Sequence, residues 1–121
     1  MDGLPREVRL TGSWHCRYGN FAIVEFLSTG VGYSIRAASK VVIGNTRFEL
    51  PPGTVLGDVR HAGGGRYEGR HAMYQLANGA FGRWSTMAVT LQNSGWRLAG
   101  SIFDLHGVIA ITFDRIGAPA V

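Results

Sequence analysis

The feature that most constrains this chain is an apolar/polar alternation with a period of two. It recurs from end to end, and no long window carries apolar residues at helical spacing. Val8, Leu10, Gly12, Trp14 and Cys16 alternate with Arg9, Thr11, Ser13, His15 and Arg17. Such a segment is a strand with one face in a core and one in water. The same pattern returns in Tyr33, Ile35 and Ala37 against Ser34 and Arg36, and in Arg47–Leu50. Turn signals separate the repeats: Tyr18-Gly19-Asn20, Ser28-Thr29-Gly30, Gly44-Asn45, Pro51-Pro52-Gly53, Gly63-Gly64-Gly65, Asn78-Gly79, Asn93-Ser94-Gly95 and His106-Gly107.

Between these turns lie eight or nine strands. Phe21–Leu27 is apolar on both faces apart from Glu25, Val41–Ile43 is a short strand, and Arg66–Leu76 is the longest candidate. Trp96, Leu98 and Ile102 share one face of a later strand, and Val108–Arg115 is the last. No segment is long enough for a helical crossover, so consecutive strands pair as an antiparallel meander, whose edges must be hidden. The expectation is an all-β fold: an up-and-down β-barrel, in which closure removes the edges, with a two-sheet sandwich as the alternative. At 121 residues the chain is expected to be one domain, with flexible ends over 1–6 and 116–121.

Composition narrows the function classes. No run approaches the roughly 18 apolar residues of a membrane-spanning helix, and the first residues carry no secretory signal. Cys16 is the sole cysteine, so no internal disulfide forms, and a cytoplasmic, reducing compartment is expected. The net charge is +4, and eleven of the twelve basic residues are arginines scattered along the chain. Scattered charge attracts anions weakly but builds no nucleic-acid footprint, so nucleic acid is not the expected partner.

Gly12-Ser13-Trp14 in the first strand and Arg115 at the end of the last resemble the calycin barrels: lipocalins, fatty-acid-binding proteins and avidins. That resemblance implies a barrel closed at one end by Trp14, with Arg115 packed over the indole, and a pocket inside. Leu10-Thr11-Gly12-Ser13-Trp14 is similar to the opening of an avidin, but avidin's biotin-binding residues have no counterparts on the later strands. Trp14-His15-Cys16-Arg17-Tyr18-Gly19, with Gly63-Gly64-Gly65-Arg66-Tyr67 downstream, also resembles the periplasmic C-type lysozyme inhibitors. Here Gly63 replaces the serine of their inhibitory loop, and their second cysteine is missing.

Candidate chemistry centres on His71. Tyr67, Gly69, His71, Met73 and Gln75 share one face of a strand, a mixture of aromatic, thioether and polar groups typical of a ligand wall; the opposite face, with Tyr74, is either a second such wall or the outer surface, and one bulge would exchange the two. With Tyr33 and Trp84 these residues form the expected ligand-binding set: Tyr33, Tyr67, His71, Met73, Gln75 and Trp84. Glu25, Asp104 and Asp114 interrupt apolar phases, and an inward carboxylate must be paired or protonated. His71 with Glu25 or Asp104 is therefore the candidate catalytic pair, the histidine acting as general base. The four histidines, 15, 61, 71 and 106, show no metal-ligand spacing. His61 and His71 could meet across the hairpin at Gly63-Gly64-Gly65, but no metal or cofactor is assigned. That basic, glycine-rich turn lacks the residues of a phosphate loop. Cys16, beside Trp14, reads as a buried, inert thiol.

The leading expectation is a barrel that holds an apolar or aromatic small molecule in its interior. The alternatives are a protein-interaction module (an inhibitor, a homo-oligomeric structural subunit or a virion component) and a barrel enzyme such as a cyclase or isomerase.

Overall fold

The computed structural model describes residues 9–17, 21–44, 46–104 and 107–117. Eight strands close into an antiparallel barrel: β1 (Gly12–Arg17), β2 (Phe21–Ser28), β3 (Tyr33–Ala37), β6 (Val55–Gly63), β7 (Arg66–Tyr74), β8 (Phe81–Gln92), β9 (Arg97–Asp104) and β10 (Gly107–Arg115). Each pairs with its neighbours in the chain, β3 with β6 across an inserted hairpin, and β10 returns to β1. The inserted hairpin, β4 (Val41–Val42) and β5 (Glu49–Leu50), forms a separate two-stranded sheet. This is the expected barrel, and it leaves no open sheet edge in the main wall. β8, not β7, is the longest strand.

The alternation in the sequence becomes the inside and the outside of the wall. Trp14 and Cys16 are buried while His15 and Arg17 are exposed. Val24 and Phe26 are buried while Ile23 and Glu25 are exposed, which settles the two-sided apolar run of β2. Strands approach closely where side chains are missing. An ideal Cβ on Gly69 would overlap the carbonyl oxygen of Asp58, and one on Gly100 that of Ala88. Bulges interrupt the register at Ile35/Arg36, His61/Gly63 and Met73/Tyr74, and help the sheet to coil.

The barrel has two unlike ends. At one, β1 starts and β10 finishes, and aromatic rings fill the interior. Phe26 lies 5.3 Å from both Trp14 and Phe113, edge-on to the latter, and Tyr33 lies 6.4 Å from Tyr67. Trp14 donates its indole N–H to the Leu10 carbonyl at 2.9 Å. Arg115, opposite Trp14 in the β1–β10 register, places its guanidinium 4.2 Å from the indole centroid. It also donates to the carbonyls of Gly95 (2.9 Å), Arg9 (2.7 Å) and, at 3.4 Å, Thr11. A buried cation with three carbonyl acceptors and an aromatic face is well satisfied, so this end is a plug. Trp96 belongs to the exposed 3-10 turn at this end, not to the inner face of β9.

Candidate functional site

The other end is hollow. A cavity of about 310 Å³ lies between the barrel wall and the β4–β5 hairpin. Cys16, Ala22 and Val24 form its floor, on the last residues of β1 and the first of β2. Leu56, His71 and Met73 form a wall from β6 and β7. Val41, Ile43 and Leu50 of the hairpin cover it, and Tyr74 and Leu76 stand at its rim. The hairpin is fixed to the barrel rim: Ala37 donates to the Thr54 carbonyl at 2.9 Å and Gly53 to the Ala37 carbonyl at 2.7 Å. The volume suits a small ligand, and the lining is apolar with few polar groups.

His71 is the main polar feature. It faces inward opposite Gly57 and Ser85 and is 7% exposed. Burial lowers its pKa from 6.5 to about 4, only partly offset by a hydrogen bond with the backbone of Ala72. At neutral pH it is therefore an uncharged imidazole, able to donate from one nitrogen and accept at the other. Burial also raises the pKa of Tyr74, whose hydroxyl donates to the Val55 carbonyl at 3.1 Å.

Of the residues expected to bind a ligand, the structure brings His71 and Met73 together at the cavity. Tyr33 and Tyr67 share their inward phase but belong to the plugged end, because β3 and β7 run the length of the barrel. Trp84 is on the outer wall, 38% exposed, since its neighbour Ser85 takes the inward position. Its indole carries the Arg70 guanidinium 4.1 Å from the ring centroid. Gln75 lies beyond the bulge at the end of β7 and is exposed. The cavity also uses Val41, Ile43 and Leu50. Their apolar character was visible in the sequence, but their position over the barrel mouth was not.

The three carboxylates differ in position, and only Asp104 shares the inward phase of His71, two strands away on β9. Glu25 faces outward opposite Arg36, because Val24 and Phe26 take the inward phase. Asp104 ends β9 on the inward phase with its side chain 7% exposed, and it is ion-paired with Arg83. Asp114 is held at the surface between Arg17 and Arg97. His61 and His71 lie apart along β6 and β7: His61 sits opposite Tyr67, its ring 5.3 Å from the phenol, whereas His71 sits opposite Gly57. Among the described residues no three metal-ligating side chains cluster. His106, Met1–Arg6 and 118–121 lie outside the described residues.

A larger depression of about 1180 Å³ lies on the outside of β3, β6 and β7. It opens broadly to solvent and its walls carry ion-paired side chains, including Arg70 with Asp58 at 2.9 Å. The smaller interior cavity is the more enclosed and more apolar of the two, and is the better candidate for specific binding. Among the described residues no helix is long and apolar enough to cross a membrane. Comparison of the chain with protein-family models, curated proteins and solved structures finds no significant match.

Proposed function

We propose that this barrel binds a small, predominantly apolar molecule inside its open end, beneath the β4–β5 hairpin and against His71. The observation that carries this reading is the 310 Å³ cavity in the barrel mouth, apolar except for a few groups and built against a neutral imidazole. A ligand there would gain by leaving water, at roughly 25 cal/mol per Å² of apolar surface. One hydroxyl, carbonyl or ring nitrogen on the ligand would meet His71 and fix its orientation. The calycin resemblance of Gly12-Ser13-Trp14 and Arg115 supports the same architecture of one plugged and one receptive end. Binding, rather than catalysis, is the favoured role, because Glu25 lies on the outer wall and Asp104 is engaged by Arg83.

The test is a nuclear magnetic resonance titration with a panel of small aromatic and aliphatic alcohols, ketones and heteroaromatics. Saturable shifts concentrated on Ala22, Val24, His71 and Met73 are expected. They should vanish in Ala22→Phe, whose added ring fills the cavity. Shifts confined to surface residues, or equal binding by Ala22→Phe, would reject the reading.

A further inference from the structure

Charge is distributed unevenly around the outside of the barrel. Over much of the wall the outward positions mix both signs: Arg36 on β3, Asp58 and Arg60 on β6, and Glu68 and Arg70 on β7. The outward face of β8, β9 and β10 carries no charge along most of its length, and the register arranges its residues in three rows. Thr86, Phe103 and Val108 form the row toward the hollow end. Ala88, Ser101 and Ala110 form the middle row, and Thr90, Ala99 and Thr112 the third. Trp84 stands above the first row, on the same face of β8 as Thr86. Charge returns only with the next row, Gln92, Arg97 and Asp114, near the plugged end.

The rows also differ in height. Phe103 and Val108, 48% and 66% exposed, stand as a ridge, and the middle row of two alanines and a serine is a trough beside it. Absence of charge around an exposed aromatic ring is the composition of an interface core. Two copies of this face complement each other. Let a two-fold axis run across the strands between the first and middle rows: each strand then meets its own counterpart, running the opposite way. Phe103 of one copy falls on the partner's Ser101, Val108 on the partner's Ala110, and Trp84 on the partner's Thr90. The charged row stays outside the contact. Sheets pack face to face about 10 Å apart, which suits side chains of this size. Three strands at about 4.8 Å and four rows at about 6.8 Å give a flat footprint of several hundred Å². A standard interface buries about 800 Å² per partner, so this contact belongs to the small, reversible class.

We propose that the outward face of β8–β10 binds a second copy of this chain, forming a reversible two-fold dimer in which the Phe103–Val108 ridge of each copy seats in the trough of the other. The strands of the two copies run in opposite directions, so the two cavity mouths open at opposite ends of the dimer. The contact uses outward side chains only and does not depend on what the cavity holds.

Sedimentation velocity on ligand-free protein, from micromolar to submillimolar concentration, should show a monomer–dimer equilibrium. Ser101→Glu sets a carboxylate against the partner's Phe103 and should weaken the dimer at least about tenfold. Phe103→Arg removes the ridge and should act in the same direction. Val108→Ser adds no charge and should weaken the dimer less. All three positions face outward, so the variants should keep the far-ultraviolet spectrum of the folded barrel. Ser101→Glu and Phe103→Arg mixed in equal amounts should recover a dimer, because the new carboxylate and guanidinium meet across the axis in that pairing alone. A wild type that stays monomeric at every concentration would overturn the proposal. A dimer that all three variants leave intact would place the contact elsewhere and overturn it. A mixture that stays monomeric while each variant is folded would reject the pairing of ridge with trough, and the proposal with it.

Discussion

Protonation of His71 should set much of the acid sensitivity of this protein. In the unfolded chain the imidazole titrates near 6.5, whereas in the barrel burial holds it near 4. Above about pH 6.5 both states are neutral and the group adds no pH dependence. Between those values the unfolded chain takes up a proton that the folded one refuses, so stability falls as pH falls. The full difference corresponds to about 3 kcal/mol, and about 2 kcal/mol of it is lost by about pH 5. The perturbation is His71→Gln, which keeps a polar side chain and does not titrate. Urea unfolding of ligand-free protein should show wild type losing about 2 kcal/mol more than His71→Gln between about pH 7.5 and pH 5. Carboxylate pairs such as Arg83–Asp104 are present in both proteins, so their contribution cancels in the difference. The imidazole proton resonances of His71 should stay at neutral positions through pH 5. Titration of His71 near pH 6.5, or identical pH slopes for the two proteins, would refute the reasoning.

Three further outcomes follow from the packing. Arg115→Met should cost about 3 kcal/mol in denaturant unfolding, because it leaves three carbonyls and the Trp14 face without the guanidinium; Arg115→Lys should recover little, since one ammonium cannot reproduce the planar fork. Gly69→Ala should destabilise by about 3 kcal/mol or more, read as a lowered Tm, because the new methyl group meets the Asp58 carbonyl of the neighbouring strand and neither backbone can retreat. Cys16, buried at the cavity floor, should react slowly with a small neutral thiol reagent, and more slowly still with a cavity ligand present; a rate unchanged by saturating ligand would place that ligand elsewhere.

Much of the fold was legible because its signals are local. Alternation along β1 and β3 and the glycine-rich turn at Gly63-Gly64-Gly65 state directly where a strand runs and where it reverses. That Tyr67, His71 and Met73 share one face was legible for the same reason, but that this face is the inner one was decided by the barrel. Glu25 was not, because a strand apolar on both faces gives no phase, and only the neighbours of β2 decide which side is the core. Tyr33, Tyr67 and Trp84 show a second limit. Aromatic residues in strands look alike in sequence, whether they plug an end, line a pocket or face outward.

The sequence by itself determined an all-β chain of short antiparallel strands, since a period-two pattern buries one face only as a pleated strand. It also placed tryptophan and arginine on the first and last strands, the two that closure brings together. Tertiary structure alone decided that the barrel is plugged at one end and hollow at the other. That outcome depends on the β4–β5 hairpin leaving the wall and folding over the mouth, and on which level of the barrel each inward side chain occupies. Both are set by pairing between strands distant in sequence, and a local pattern carries no record of them.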